Sequence, residues 1–290
     1  MAKTEFKPLS DALAKLNANR KAVVKAPKAK QPTPQMSLEL WPDSVRGVPN
    51  AVLRGSLFTV SQRRSTAKKR ELLAAVDGIE VRFKGERFNQ TDLDVWEMLL
   101  HLARQQPLGD RVEFSAHAFL KELGRGTGKT QHEQLKDEIV RLRGGTVEVT
   151  WTNEGKTFIG GLVEKAFRDE VTQRYVVVFD QKMLGLYEGG YSHIDWQQRQ
   201  ALGNNSLAKW LHGFYASHAS PFPYKVETIK NLCGSATKTL SGFRQTLKSA
   251  LAELVEAGAL KSWEIDKNDL VVVIKIPTLA QQRHLKKGKK

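Results

Sequence analysis

Residues 221–276 read PFPYKVETIKNLCGSATKTLSGFRQTLKSALAELVEAGALKSWEIDKNDLVVVIKI, and this stretch decides the fold of the chain. Its pattern predicts a short strand at PFPYK, a helix at VETIKNLCG, a long helix over Thr237–Ala257, and two strands joined by the turn DKND. A further helix is predicted just before it, over Ser206–Ser217. This order of elements is the winged form of the helix-turn-helix, whose last helix is shaped to enter a DNA major groove.

The same order is predicted once more, upstream. A strand over Arg111–Phe114, a helix over Ser115–Leu123 and a helix over Thr130–Arg143 are followed by a hairpin, TVEVTW and TFIGGLVEKAF, and by a third strand, RYVVVFD. Residue types recur at offsets of 110 and 112: Phe114, Phe119, Leu123 and Gly124 match Tyr224, Ile229, Cys233 and Gly234, and Leu135, Lys136, Ile139 and Leu142 match Leu247, Lys248, Leu251 and Leu254. We therefore predict an α+β chain of two tandem winged-helix domains.

The chain is predicted to have four regions. Residues 1–55 form a flexible basic arm and linker, with a hinge at WPDSVRGVPN (residues 41–50). Residues 56–200 form the first winged-helix domain, residues 201–280 the second and main DNA-binding domain, and residues 281–290 a basic C-terminal tail. The first 34 residues are rich in Lys, Ala and Pro and carry a net charge of +6, a composition that favours disorder.

The overall charge narrows the class of partner. The 290 residues contain 46 Lys and Arg against 31 Asp and Glu, a formal net charge of +15, which indicates a polyanion such as nucleic acid or an anionic membrane. No apolar run approaches the roughly 20 residues that span a bilayer, so no membrane partner is expected. The tails supply +6 and +5, and residues 35–280 only +4, gathered at residues 63–70 and 238–248.

The long helix of the second module has the polarity that groove insertion needs. Its first half is basic and polar and has no acid before Glu253, while its leucines form a core-facing stripe. Arg244 and Gln245 are predicted to contact bases, and Lys248 a phosphate. An ordinary solvated helix face remains the alternative. The predicted DNA-binding residues are Lys238, Thr239, Ser241, Arg244, Gln245, Lys248, Lys225, Lys267, Arg63, Arg64, Lys68, Lys69, Lys129 and Lys136.

The corresponding helix of the first module mixes acids with bases. Glu133, Asp137 and Glu138 would repel phosphates, so this helix is predicted to be the poorer DNA-binding element. It could contact the DNA backbone through Lys129 and Lys136, or serve a protein interface.

No catalytic, cofactor or metal site is expected. GRGTGKT (residues 124–130) resembles a phosphate-binding loop, but Leu123 stands where that motif needs its first glycine, and a helix precedes it instead of a strand. The histidines show no metal-binding spacing, and the single cysteine excludes a disulfide framework and paired-cysteine zinc sites. The chain is therefore expected to be non-enzymatic. An ATPase or helicase accessory enzyme would rest on GTGKT alone.

Several residues are predicted to lie in the core instead of in a site. Cys233, Trp96 and Trp210 sit at apolar helical positions. Phe58 lies near two basic clusters and could stack on a nucleotide, although core packing is favoured. The helix over residues 91–105 is predicted to begin with a capping box of Thr91 and Asp94.

A short peptide, QMSLEL, follows the basic arm. It consists of Gln35, Met36, Ser37, Leu38, Glu39 and Leu40. A glutamine followed by two spaced leucines suits an extended peptide in a pocketed groove, and it resembles the motif with which many bacterial proteins bind the polymerase sliding clamp. The alternative is an entry strand of the fold.

Four longer stretches resemble the TrfA family of plasmid replication initiators: QMSLELWPDSVRGVPN, SLFTVSQRR, HIDWQQRQALGNNSLAKWLHGFYASH and PFPYKVETIKNLCGS. The resemblance runs from about Gln35 to Ile276. In the family the clamp motif ends in Leu-Phe, whereas here Glu39 separates Leu38 from Leu40.

The resemblance implies a cytoplasmic bacterial initiator that binds direct repeats (iterons) in a plasmid origin and helps to open an adjacent AT-rich region, with single-stranded origin DNA as a further candidate partner. It also implies recruitment of host DnaA, helicase and sliding clamp, and a monomer–homodimer equilibrium in which the monomer is active. The alternative function is a winged-helix transcriptional repressor or copy-number regulator, which needs the same groove-binding helix but no QMSLEL.

Overall fold

The computed structural model describes residues 38, 40–76, 78–105, 111–278, 281–282 and 285–286. The chain divides into a unit of residues 1–35, which lies outside the described residues, and a unit of residues 36–290. The predicted basic arm, most of QMSLEL and most of the C-terminal tail therefore lie outside the described residues.

The described chain begins with two strands and a short helix, of which the first strand and the helix lie within the predicted linker of residues 1–55. These are β1 (Val45–Pro49), α1 (Asn50–Leu53) and β2 (Phe58–Thr59). Strand β1 pairs antiparallel with β11 (Tyr191–Asp195), about 145 residues away along the chain. The assignment of residues 45–53 to a linker was wrong, because Val48, Ala51 and Val52 are buried against the core and hold this segment in the folded body.

A four-stranded antiparallel sheet follows. It contains β3 (Thr66–Leu73), β4 (Ile79–Glu86), β7 (Thr146–Trp151) and β8 (Lys156–Gly160), in the order β3-β4-β7-β8. The hairpin β7–β8 was predicted from its alternation, and Val147, Val149 and Trp151 are indeed its buried face. Its expected role as the first wing was wrong, since β7 pairs with β4 in this separate sheet. The partner of a strand depends on long-range packing, which alternation does not encode.

The helix α2 (Gln90–Ala103) lies at the centre of the first core and follows β5 (Phe88–Asn89), which pairs in parallel with β2. Its N-cap is Asn89, whose side chain accepts from Asp92 N, while the Asp92 carboxylate accepts from Asn89 N at 2.9 Å. The predicted Thr91–Asp94 capping box was therefore wrong by two residues. The predicted apolar stripe is confirmed: Leu93, Trp96, Leu99, Leu100 and Ala103 are each at most 3% exposed.

Two repeats of one arrangement make up much of the remaining chain. In the first, α2 is followed by β6 (Arg111–Ser115), α3 (Ala116–Glu122), α4 (Lys129–Gly144), and later by β9 (Lys165–Arg168) and β10 (Arg174–Val178). In the second, α7 (Ser206–Ala216) is followed by β12 (Tyr224–Lys225), α8 (Val226–Leu232), α9 (Leu240–Glu256), β13 (Ser262–Ile265) and β14 (Leu270–Ile274). The sheet orders correspond: β6-β10-β9 in the first repeat and β12-β14-β13 in the second. Between the repeats lie a 3₁₀ turn (Gln181–Leu184), α5 (Gly185–Glu188), β11 and α6 (Trp196–Ala201).

The turns after α3 and α8 show the same equivalence in detail. Gly124 and Gly234 end these helices with φ of +69° and +64°, a left-handed conformation that glycine adopts without strain. Arg125 N donates to Leu120 O at 2.9 Å, and Ser235 N donates to Lys230 O at 3.1 Å. GRGTGKT is therefore the turn between two helices, as the sequence favoured.

Each repeat has its own buried cluster of apolar side chains. Trp96 and Phe58, 0% and 1% exposed, lie in the first cluster, and Trp210 and Cys233 lie in the second. The core placement predicted for these four residues is thus confirmed. Burial raises the pKa of the Cys233 thiol to about 12, which leaves it protonated and unreactive.

Candidate nucleic-acid interface

The helix α9 has a buried side and a solvent-facing side. Leucine and phenylalanine residues at helical spacing fill the second core, and Phe243, Leu247 and Leu251 are each at most 1% exposed. Thr239 is the N-cap, and its hydroxyl accepts from Gly242 N at 3.2 Å. The role of Thr239 in this structure is therefore to begin the helix.

Four predicted DNA-binding residues of this segment share the solvent-facing side and are exposed: Lys238, Ser241, Gln245 and Lys248. Lys225 at the end of β12 and Lys267 in the turn between β13 and β14 are exposed as well. Lys225 lies opposite Leu270 in the sheet, so these two lysines belong to the same three-stranded sheet, β12-β14-β13. Four lysines have no acidic partner within 4.0 Å among the described residues: Lys225, Lys238, Lys248 and Lys267.

Arg244 is the exception on this helix. Its Nε donates to Asp269 Oδ1 at 2.9 Å and its Nη2 donates to Asp269 Oδ2 at 2.8 Å, so α9 and the turn between β13 and β14 are joined by two parallel bonds. These hydrogen bonds raise the pKa of the guanidinium, which stays charged. The side chain keeps 36% of its surface exposed. If Arg244 contacts a base, as predicted from sequence, it does so either with its bonds to Asp269 intact or after those bonds have broken.

The basic cluster at residues 63–70 is divided by the structure. Arg63, Lys68 and Lys69 are exposed. Arg64 instead lies 3.1 Å from the buried Asp92 carboxylate and Arg70 lies 2.9 Å from Glu148. Only the first three of these five therefore offer a charge without an ion-pair partner in the described chain.

The equivalent face of the first repeat is different in charge. Lys129 is exposed at the start of α4, but Lys136 lies 3.1 Å from Glu170 in the turn between β9 and β10. Glu133 and Asp137 are exposed on the same helix. Val140 on α4 and Phe167 on β9 are 61% and 64% exposed, and together with neighbouring side chains they line a cavity of about 260 Å³. We call this surface, made of Glu133, Asp137, Val140, Phe167 and Glu170, the acidic face.

The two leucines of QMSLEL have opposite environments. Leu38 is 3% exposed and belongs to the first core, whereas Leu40 is 79% exposed. The other four residues of the peptide, Gln35, Met36, Ser37 and Glu39, lie outside the described residues. The leucine that would enter the first clamp pocket is therefore buried in this structure.

Within the described ranges, no group of three or more His, Cys, Asp or Glu side chains is arranged to hold a metal ion. No helix in the same ranges has both the length and the apolar character needed to cross a bilayer.

Comparison with known proteins agrees with the resemblance seen in the sequence. The model of the TrfA protein family matches residues 6–275. The chain belongs to the TrfA family. The plasmid replication initiator protein TrfA of Escherichia coli is 24% identical over 285 residues, which cover 93% of this chain and 74% of that protein.

Solved structures resemble this TrfA-family chain in fold. A crystal structure of RctB domains 2–3 is 12% identical, has a TM-score of 0.53 and covers 78% of this chain and 97% of that one. A crystal structure of selenomethionine derivatives of RctB domains 2 and 3 is also 12% identical, with a TM-score of 0.51 and coverage of 71% and 86%. The mixed α/β fold of this TrfA-family chain is thus shared with part of RctB.

Sequence analysis missed a buried group of charges where the two repeats meet. Arg199 on α6, 1% exposed, donates to Asp94 at 2.7 Å and lies 3.0 Å from Glu97, and Lys209 on α7 donates to Asp94 at 2.7 Å. Burial alone would raise the pKa of Asp94, but the charges of Arg199, Lys209 and Arg125 outweigh it and hold the pKa below its usual value. Burial raises the pKa of Glu97 to about 7, against the opposing effect of Arg199.

This buried group connects α2 of the first repeat with α6 and α7. Asp94 had been assigned to a helix cap, and nothing in its local sequence distinguishes a capping carboxylate from a buried one. Truncating one partner of such a pair leaves an uncompensated buried charge. The group therefore fixes the two repeats against each other in this TrfA-family chain.

Proposed function

We propose that this chain is a plasmid replication initiator that binds double-stranded direct repeats in a plasmid origin, with its second repeat as the main DNA-binding module. The observation that carries the proposal is the solvent-facing side of α9 and of the residue before its N-cap, where Gln245 is exposed and Lys238 and Lys248 have no acidic partner among the described residues. Membership of the TrfA family supports the same function, since a relative bears the name plasmid replication initiator protein.

In this proposal the two repeats are tandem winged-helix modules. The support is their common order of helix, strand, helix, helix and two strands, and their common sheet order. In the second module α9 would enter the major groove, while Lys225 and Lys267 would contact the backbone from the wing. The acidic face of the first module disfavours the same contacts, so that module would meet proteins or the DNA backbone only at its edges.

The later steps also belong to the proposal. After binding, the protein would help to open the adjacent AT-rich region, hold single-stranded origin DNA, and recruit host DnaA, the replicative helicase and the sliding clamp. It would act as a monomer in equilibrium with a homodimer, in the bacterial cytoplasm, without enzymatic activity of its own. Exposed Arg63, Lys68 and Lys69 and the basic tails would add sequence-independent attraction to DNA.

A replication assay in trans, combined with footprinting, tests the proposal. A plasmid with the cognate origin but without the gene should replicate only in cells that supply the protein. Footprints on that origin should show regular protections spaced one or two helical turns apart. Protected repeats without replication in trans would instead favour a repressor, and no protection at all would contradict DNA binding.

Clamp recruitment has a separate test because Leu38 is buried. Leu40, 79% exposed, is available, whereas Leu38 would have to leave the first core to enter a clamp pocket. A pull-down with the host clamp should be weakened by Leu40→Ala. Leu72→Ala, at a leucine that is 62% exposed on β3, is the matched control and should have no effect. Equal binding by wild type and Leu40→Ala would show that Leu40 does not contact the clamp, and no binding by the wild type would remove the clamp from the list of partners.

A further inference from the structure

The turns of the two wings are built alike. Gln173 and Asp269 each stand directly before the last strand of their repeat, and they are the two non-glycine residues with positive φ in the described chain, at +54° and +64°. The backbone oxygen of each accepts from the first residue of the second helix: Ala116 N donates to Gln173 O at 3.1 Å, and Val226 N to Asp269 O at 3.0 Å. Both turns therefore need a residue in the left-handed conformation at this position. That need is met by Gln173 in one turn and by Asp269 in the other, so it does not explain the aspartate.

The side chains at these two positions act differently. Gln173 stays within its own wing, where it accepts from Arg168 and donates to Glu170 O at 2.7 Å. Asp269 reaches out of its wing to the two guanidinium nitrogens of Arg244 on α9. At the offset of 112, the α4 position that corresponds to Arg244 is His132. The helix–wing clasp, defined as the Arg244–Asp269 pair, thus has no counterpart at the equivalent positions His132 and Gln173, and the first repeat joins its helix to its hairpin at other positions, through Lys136 and Glu170.

The clasp uses one edge of the guanidinium and leaves the other open. A guanidinium has five N–H donors, and Asp269 takes the Nε hydrogen and one Nη2 hydrogen. Both Nη1 hydrogens and the second Nη2 hydrogen have no protein partner in the described chain, and these are the donors that bind a guanine edge or a phosphate in pairs. A clasped Arg244 is therefore preorganised, because its long side chain has already lost its rotamer freedom.

We propose that Asp269 is a positioning residue that sets DNA sequence specificity by holding the open edge of Arg244 toward the groove. The proposal rests on the DNA-binding function proposed above. The carboxylate has two effects. It fixes the direction of the Arg244 donors. Its negative charge also weakens the attraction of the guanidinium to DNA phosphates, which carry no sequence information. Asp269 therefore favours a matched base over a backbone contact.

Neutralising Asp269 should release Arg244 to bind phosphate. Asp269→Asn keeps the size of the side chain but loses the charge that aligns the guanidinium. Affinity for unmatched DNA should rise, and the slope of log K against log salt should steepen by about 0.9, the value for one added phosphate contact. Affinity for matched DNA should fall, because the donors are no longer aimed. The ratio of matched to unmatched affinity should drop roughly tenfold, within the range of one bidentate base contact.

The experiment uses the full chain and duplexes that it selects itself. The wild-type protein is incubated with a randomised 20-base-pair library, and the enriched duplex and a scrambled version of it serve as probes. Fluorescence anisotropy over a series of salt concentrations gives both affinities and both slopes for wild type, Asp269→Asn, Arg244→Ala and the double variant. Gln173→Asn, at the equivalent turn position of the first wing, is the matched control.

For Asp269→Asn, the expected result is a lower ratio of matched to unmatched affinity and a steeper salt slope. Gln173→Asn should change neither quantity. In the Arg244→Ala background, Asp269→Asn should have no effect. A purely structural role would lower both affinities in parallel and would persist in the Arg244→Ala background. If Asp269→Asn does not fold, Arg244→Lys tests the same clasp, because lysine keeps the charge but lacks the two parallel donors. The same loss of ratio is then expected.

The failures of the two proposals can be told apart. An unchanged ratio and slope for Asp269→Asn, in an experiment where Lys248→Ala weakens binding to both duplexes, would overturn the role of Asp269 and leave DNA binding intact. No enrichment of any duplex by the wild-type protein would overturn the DNA-binding function, and the role of Asp269 with it.

Discussion

Helices α4 and α9 occupy the same place in the two repeats, and they bury apolar residues at the same spacing. Leu135, Ile139 and Leu142 in α4 correspond to Leu247, Leu251 and Leu254 in α9, and all six are at most 2% exposed. Their solvent-facing sides differ. α4 presents Glu133 and Asp137, and its Lys136 is paired with Glu170, whereas Lys248 on α9 and Lys238 just before it have no acidic partner among the described residues.

The comparison separates what folding requires from what binding requires. Burial of the apolar side is needed in both repeats, so both helices retain it. The charge of the outer side contributes little to folding, because exposed charges interact weakly through water. That side is therefore the part of the helix that binding can change: α9 has no acid before Glu253, whereas α4 carries Glu133 and Asp137 among its basic residues.

The largest expected effect is the loss of stability when a buried leucine of either helix is truncated. Leu135→Ala and Leu247→Ala each remove a side chain that is 0% exposed, and each should lower the free energy of unfolding by about 2–5 kcal/mol. Urea unfolding followed by tryptophan fluorescence measures both. Similar losses would support equal core roles for the two helices. A loss below about 1 kcal/mol for either would break the equivalence of the two repeats.

The next prediction concerns the outer sides. The double variant Lys238→Ala/Lys248→Ala removes two charges without partners and should weaken binding to a matched duplex roughly 10- to 100-fold, with a salt slope shallower by about 1.8. The matched pair in the first repeat, Lys129→Ala/Lys136→Ala, should change binding by less than about threefold, since Glu170 already neutralises Lys136. Anisotropy titrations at several salt concentrations measure both. Equal effects of the two double variants would refute the difference between the outer sides.

The repeats themselves could be predicted from the sequence because their signals are local. Apolar spacing placed α4 and α9 within three residues of their observed ends, and the residue matches at offsets of 110 and 112 identified equivalent turns at Gly124 and Gly234. A helix face is also local, which is why the exposed positions of Lys238, Gln245 and Lys248 agree with the predicted polarity of α9.

Long-range pairing could not be predicted in the same way. The alternation in β7 identified a strand but not its partner β4, and the strands that correspond to β13–β14 are β9–β10. Charged residues showed the same limit. Arg64, Lys136 and Arg244 looked free in the sequence, yet their partners Asp92, Glu170 and Asp269 lie 28, 34 and 25 residues away along the chain.

The stability of the second repeat should depend on pH through one buried histidine. His212 on α7 is 5% exposed, and burial lowers its pKa from 6.5 to about 3. Between these values the unfolded chain binds a proton that the folded chain does not, so stability is lost as pH falls below about 6.5. From pH 7.5 to pH 5.5 this one histidine should cost about 1.4 kcal/mol.

Urea unfolding of wild type and His212→Gln at the two pH values checks this contribution. The drop in unfolding free energy from pH 7.5 to pH 5.5 should be smaller in the variant by about 1.4 kcal/mol, whatever the substitution costs at pH 7.5. An equal drop in the two proteins would mean that His212 takes up its proton in the folded state, and that the interior of the second repeat is more open to water than its burial indicates.

The smallest expected effect comes from the acidic face. Glu133→Gln/Asp137→Asn removes two exposed negative charges from α4 and should raise affinity for a scrambled duplex by about threefold, because like charges at a phosphate surface repel each other at a distance through water. The gain should shrink as salt is added, since exposed charges are screened over about 10 Å at 0.1 M salt. The ratio between matched and scrambled DNA should not change.

Glu256→Gln is the matched control, because Glu256 is exposed at the C-terminal end of α9, behind its basic half. It should leave both affinities unchanged. If the α4 variant also leaves both affinities unchanged at low salt, the acidic face lies farther from DNA than the screening length. Its charge would then affect the binding of a protein partner only. If the α4 variant instead sharpens sequence preference, α4 contacts bases, and the division of labour between the two outer sides is wrong.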